Sequence, residues 1–363
     1  MWIKNITIND CRLLNSVSLE FSPDLNIIVG PNASGKTSLL EALNILSKGR
    51  SFRTSHIKEV ISDKKDSILV SAGIIDTSNS NHDLSNIGIE KSSSKTKIRI
   101  NKQDVYTQAE LSSYLPITVI HPNSIDLITG SPAIRRSYLD WIAFYVFPDF
   151  LSKWKKYQHI LRQRNICLKS SKHAYSLDKW TEELVLLQPD LIRYRSDVIK
   201  LLQPIVNEIG ENLLNGLNIQ LELKTGFPKD QKLDTKSLLE YYKQKQEYEF
   251  KVKRTTAGSH RADFNILLNS TPAMESASRG QLKLLAICLL LAQSNSISIT
   301  SSGQGVLLID DLAAELDTAN KELLLKYLSK LDKQLIITST NIIEIAGVES
   351  KVFHVKHGSF TSE

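Results

Sequence analysis

The chain has 363 residues, 41% of them apolar and 23% charged, with a formal net charge of +6. That length allows two or three lobes with a sizeable core, and the proportions are those of a globular protein, which excludes a disordered or fibrous chain. The three cysteines, Cys11, Cys167 and Cys288, are too far apart for a disulfide framework or zinc knuckle; no apolar run nears a membrane span, and MWIKNITIND lacks the features of a signal peptide, so a cytoplasmic protein with no membrane partner is expected.

Ile3–Ile8 and Leu14–Phe21 alternate apolar and polar residues and read as two sheet strands. The next stretch, LNIIVGPNASGKTSLL from Leu25 to Leu40, passes from an apolar run through a glycine-bounded loop into a helical apolar pattern. Gly30, Gly35, Lys36 and Thr37 fill the fixed positions of the G-x-x-x-x-G-K-[ST] phosphate loop. Each residue type has a reason. The glycines let backbone N–H groups turn inward onto phosphate oxygens, Lys36 reaches the terminal phosphates, Thr37 can ligate Mg²⁺, and the helix start adds its positive dipole end. Pro31, Asn32, Ala33, Ser34 and Ser38 complete the expected cradle for ATP. A chance match in a chain this long is on the order of one per cent, and the strand before and helix after the loop weaken the reading of an ordinary turn further.

The loop helix is expected to end near Gly49, with Arg50 and Arg53 in a loop beside the nucleotide. Between Ser67 and Tyr106 three alternating stretches predict an antiparallel sheet flanking the nucleotide fold. Within it Asn101, Lys102, Gln103 and Asp104 spell the guanine-selecting N-K-x-D, but no D-x-x-G lies between the phosphate loop and this point, so NKQD reads as a hairpin turn.

Ile117–Ile120 is a short strand, Pro132 suits the first turn of a helix, and helical patterns run from Asp149 to about Leu214 and from Leu238 to Arg254, with a strand at Asn218–Leu223. Leu151 to His173 holds Lys153, Lys155, Lys156, Arg162, Arg164, Lys169 and Lys172 and no acid. Such a run, interleaved with Trp154 and Tyr157, suits a nucleic-acid backbone; a solvated helix face explains it equally well.

The last third alternates strand and helix again, so the nucleotide fold is split by an inserted helical lobe: residues 1–115 and 258–363 form the ATPase lobe, and 116–257 the insertion, the candidate DNA-binding surface. Val306–Asp317, VLLIDDLAAELD, is an apolar strand ending in two carboxylates. Behind a phosphate loop these are the other half of an ATPase site, with Asp310 holding Mg²⁺ alongside Thr37 and Asp311 orienting the attacking water. Asp317 closes the motif and is grouped with the nucleotide-binding residues.

Upstream, SASRGQLKLL places Ser278, Gly280, Gln281 and Lys283 before an apolar helix. This has the form of an ABC-type signature, in which the serine and helix start grip a terminal phosphate held by a partner molecule; a serine capping a core helix is the plain alternative. As a signature it requires a homodimer.

Together with GRSFR, GSHRADF (Gly258–Phe264), SRGQLK and HPNSIDLITGSPAIRRSYLD, where Pro122, Gly130, Pro132, Arg135, Arg136, Tyr138, Leu139 and Asp140 match the signature, the chain resembles the RecF family of recombinational repair ATPases over nearly its whole length. Asn123 stands where that family usually has an acid and Ala33 where it usually has Gly. The glutamine and switch histidine of ABC transporters have no clear counterpart, although Thr340 lies near the histidine's place. The resemblance implies an α/β ABC-type P-loop ATPase head of mixed sheets with an inserted helical lobe. It also implies a weak ATPase that dimerises on ATP and binds double-stranded and single-stranded DNA at gaps and junctions, helping RecR and RecO load RecA. Arg135 and Arg136 are expected either to touch DNA or nucleotide or to tie the helical lobe internally, and His260 to be a buried, hydrogen-bonded residue. A transporter ATPase subunit would lack the basic insertion, and an SMC/Rad50-like structural head would need long coiled-coil arms.

Overall fold

The computed structural model describes residues 1–77, 83–169, 176–214, 216–300, 305–311 and 316–362, without the side chains of 298–300. Lys172 of the basic run and residues 312–315 of the two-carboxylate motif lie outside them. The chain divides into two compact units, one of residues 1–125, 209–216 and 279–363, the other of 126–208 and 217–278.

The first unit holds two sheets. Strands β1 (Trp2–Cys11), β2 (Leu14–Glu20), β4 (Ser67–Ile75), β5 (Leu84–Ser92), β6 (Thr96–Ile100) and β7 (Gln103–Val105) form an antiparallel sheet in the order β2-β1-β4-β5-β6-β7. Asn101 and Lys102, both at positive φ (50° and 68°), make the two-residue turn between β6 and β7, as the hairpin reading of NKQD requires.

The second sheet, in the order β15-β14-β3-β13-β12-β8, contains β3 (Leu25–Val29), β8 (Ile117–Ile120), β12 (Val306–Ile309), β13 (Gln334–Ser339), β14 (Ser350–Lys356) and β15 (Ser359–Ser362), parallel except for the last. Every residue of β3, β8, β12 and β13 is buried, which is why these strands read as continuous apolar runs. Helix α1 (Lys36–Lys48) contacts β1, β4 and β5 of the antiparallel sheet and β8 and β13 of the parallel one, and its buried residues join a single core with both. It ends on Gly49 in the left-handed conformation. Helices α2 (Gln108–Tyr114), α9 (Arg279–Thr300) and α10 (Thr318–Leu328) complete the unit.

The second unit contains α3 (Asp126–Thr129), α4 (Pro132–Val146), α5 (Phe150–Lys169), most of α6 (Leu177–Leu213), α7 (Thr235–Val252) and α8 (Ala273–Ser276), with the small antiparallel sheet β11-β10-β9 formed by Ile219–Lys224 (β9), Asp263–Leu268 (β10) and Thr271–Pro272 (β11). Pro132 occupies the first turn of α4, and the break expected at Pro148 separates α4 from α5. The division differs from 1–115, 116–257 and 258–363. Ile117–Ile120 pairs with β12 and so belongs to the first unit, whereas residues 258–278 pair and pack within the second.

Polar groups order the second unit's interior. Arg164 and Glu249, 1% and 0% exposed, form an ion pair at 2.7 Å, and Arg164 also donates to Thr181 and Thr255. Arg195 makes a two-point contact with Asp140 and donates to the carbonyl of Ser259.

Candidate nucleotide site

The loop from Gly30 to Gly35 is held by backbone geometry. Gly35 lies at φ 114°, and a Cβ on Gly30 would come within 2.4 Å of the Val355 carbonyl oxygen, so both positions demand glycine. Ala33 takes φ 62° without being glycine, a mild strain at the family's usual Gly position. Residues 32–38 line a cavity of about 440 Å³ together with Arg12, Leu13, Arg53 and Asp311. Lys36 Nζ donates to the carbonyls of Gly30 and Pro31 at 2.7 and 3.0 Å. Burial lowers the pKa of its ammonium, against the pull of Asp311 and Asp310.

Asp310 follows β12, the strand expected to carry it. Thr37 Oγ1 donates to Asp310 Oδ1 at 3.0 Å, joining the two expected Mg²⁺ ligands. Thr338, on β13, donates to the same oxygen at 2.8 Å while accepting the N–H of Asp311 at 2.9 Å, and so fixes the Asp310 carboxylate and the Asp311 backbone. Burial raises the pKa of Asp310, with the hydroxyls of Thr338 and Thr37 opposing. Asp311 sits at φ 51°, and its Oδ1 is buried without a hydrogen-bond partner in the protein. Ser34 Oγ is in the same condition. Two such oxygens on the cavity wall, beside a Thr–Asp pair, fit a phosphate-bearing ligand and a hard cation that takes oxygen donors. No group of three or more His, Cys, Asp or Glu side chains able to hold a metal occurs among the described residues, so Mg²⁺ would rely on Thr37, Asp310 and the phosphates.

Sequence reasoning missed Thr338, Arg12 and Glu41. Glu41 on α1 is fully buried, makes a two-point contact with Arg12 at 2.7 and 2.9 Å, accepts from Ser51 and lies 3.7 Å from Arg53, so it aims two cations of the cavity. Its signal was an acid on the apolar face of the loop helix. Thr338 likewise stands out as a hydroxyl in a fully buried strand.

Ser278, Gly280 and Gln281 stand at the start of the 22-residue helix α9, with Ser278 and Gly280 exposed; Gly280 and Gln281 are not among the residues lining the loop cavity. Asp317, grouped with the nucleotide-binding residues, is exposed at the start of α10. Its side chain caps α10, accepting the N–H of Asn320 at 2.9 Å.

The DNA candidates divide. Arg135 makes a two-point contact with Asp263 at 2.7 and 3.0 Å and donates to two carbonyls, Arg136 donates to the Ala262 carbonyl, and Arg164 is interior. Lys153 is shared by Asp149, Asp190 and Tyr194. These four tie the second unit together: Arg135 and Arg136 follow the internal-tie alternative, and Lys153 and Arg164, expected on a phosphate-binding face, are committed to carboxylates; Lys155, Lys156 and Arg162 are exposed. His260 is structural as expected. Its Nε2 donates to the Thr255 carbonyl at 3.2 Å and its Nδ1 takes the Tyr157 hydroxyl at 2.8 Å, and burial pushes its pKa down to about 4. No helix among the described residues is long and apolar enough to cross a membrane.

A phosphate loop between a parallel strand and its helix, two carboxylates just past the end of β12, one strand removed in the same sheet, a flanking antiparallel sheet and an inserted unit together define an ABC-type P-loop ATPase head. The RecF/RecN/SMC N-terminal domain model matches residues 2–361. The chain is 36% identical to the DNA replication and repair protein RecF of Psychromonas ingrahamii over 100% of both chains, and 32% identical to that of Aliivibrio fischeri over 99% of both. It superposes on a solved structure of the recombination mediator protein RecF-ATP in the RecFOR pathway with a TM-score of 0.88 at 26% identity, over 100% of this chain and 97% of that one. An Smc head bound to the C-terminal winged-helix domain of ScpA, at 16% identity, a TM-score of 0.60 and coverage of 100% and 97%, shares the fold. The chain belongs to the RecF family.

Proposed function

We propose that this protein is an ATP-dependent DNA-binding protein of recombinational repair. It dimerises on ATP at gaps and double-strand/single-strand junctions and helps RecR and RecO load RecA. The observation that carries the reading is the meeting of Lys36, Thr37 and Asp311 on one cavity, with Asp310 bonded to Thr37 and to Thr338 beside it, in a chain similar end to end to RecF proteins. Lys36 and the loop N–H groups bind the phosphates, and Thr37 with Asp310 would hold Mg²⁺, which supplies charge neutralisation at the terminal phosphates. Asp311 holds the attacking water. The partner's Ser278 completes the site, which accounts for a signature helix whose exposed start does not line its own cavity. Binding energy then becomes dimer closure. Asp311 is one methylene shorter than the glutamate transporters carry, so turnover is slow and hydrolysis acts as a timer.

The deciding experiment is filter binding of gapped DNA with and without ATP and Mg²⁺ at two salt concentrations. Retention that needs ATP and falls with salt supports the reading. Equal retention without ATP, or none, removes it.

A further inference from the structure

A second cavity, of about 480 Å³, lies in the first unit and shares Arg53 with the nucleotide cavity. Lys48, Arg50, Arg53 and His121 contribute its basic side chains, and no Asp or Glu is among the residues that line it. Phe52 and His121 pack as a ring pair, centroids 5.1 Å apart and planes 34° from parallel. We infer that this cavity takes one phosphate of a DNA strand, with the adjoining base set against the Phe52–His121 pair. The inference rests on the DNA-binding reading and deepens it by moving a contact from the helical insertion to the ATPase unit.

Three observations support it. The loop carrying the cations is already ordered: Asn44 Nδ2 donates to the Arg50 carbonyl at 2.6 Å, and the N–H groups of Arg53 and Thr54 donate to Ser51 Oγ. The carbonyl end of α1 points its negative dipole this way, but Lys91 Nζ donates to the Gly49 carbonyl; of the cavity's cations, Arg53 lies beside a carboxylate, that of Glu41 at 3.7 Å. Burial and the neighbouring Arg50 push the Lys48 ammonium down to about 8, a state that a bound anion would reverse. The volume suits a nucleotide-sized group, and an aromatic platform beside cations is the usual means of holding single strands. By contrast, Lys153 and Arg164 of the basic helix are committed to carboxylates.

The test uses the full chain carrying Lys48→Gln and Arg50→Gln, neither of which lines the nucleotide cavity. A fluorescent ATP analogue should bind as to wild type, whereas affinity for gapped DNA should fall roughly tenfold and the log–log salt slope should shrink by about one to two. In a second arm, DNA with 5-iododeoxyuridine in its single-stranded stretch is photo-crosslinked to wild type, and the crosslink should map to the peptide of Phe52 or His121. Unchanged DNA affinity in the variant, or crosslinks confined to α5, overturns the inference while leaving DNA binding intact. Protection of the cavity by thymidine monophosphate without any strand crosslink overturns the strand as occupant. If wild type holds no DNA at all, the underlying reading has failed instead.

Discussion

Asp311 carries two kinds of cost at once, a backbone at φ 51° and a buried carboxylate oxygen with no protein partner, and both are found where a side chain is kept for chemistry. Asparagine tolerates the same left-handed backbone, so Asp311→Asn removes the charge with little effect on folding. Steady-state ATP hydrolysis should fall about a hundredfold with nucleotide binding retained; turnover equal to wild type would show that Asp311 is not the acid that handles water. His260 permits a different test. Its neutral form fits the donor to Thr255 and the acceptor to Tyr157, and its pKa is lowered to about 4, so its contribution to stability is complete above the unfolded value near 6.5 and is lost as pH falls toward 4. Urea midpoints at pH 7 and pH 5 should therefore separate more for wild type than for His260→Gln, by up to about 2 kcal/mol. Equal separations would refute the assignment.

Among elements, the inserted unit carries buried ion pairs within its apolar core. Helices α5 and α7 are joined through Arg164 and Glu249, whose other carboxylate oxygen accepts from Thr256. Glu249→Gln keeps the shape but leaves Arg164 as an interior cation without its counter-charge, and should cost about 3 kcal/mol in denaturant unfolding. Replacing both residues with apolar ones of similar volume should recover most of that loss; a negligible cost for Glu249→Gln alone would mean that water reaches the pair.

This pair also shows why the basic run was only half legible. Seven cations without an acid between Leu151 and His173 read as a charged face because the partners lie outside the run: Asp149 just before it and Asp190 on α6 for Lys153, and Glu249 on α7 for Arg164. The phosphate loop, by contrast, was readable almost atom by atom, since its function resides in contiguous backbone geometry. The strands were readable for a related reason: burial on both faces leaves uninterrupted apolar runs. Thr338 and Glu41 escaped notice because their significance lies in contacts made across the parallel sheet and across α1.

For the whole molecule, the proposed switch is a change of association driven by nucleotide. In sedimentation with ATP and Mg²⁺, wild type should form a dimer that Lys36→Ala does not, since removing the ammonium from the loop takes away the charge that meets the terminal phosphates. A dimer of equal strength in Lys36→Ala, or in wild type without ATP, would refute the switch.

The strand that launches the phosphate loop sits between two neighbours supplied by the far end of the chain, with both Leu335 and Ser350 paired to Leu25. A ribosome must therefore deliver the polypeptide as far as β13 before β3 acquires a partner on either side. Until then its backbone N–H and C=O groups have no sheet partner, and a nascent copy has no assembled site for ATP.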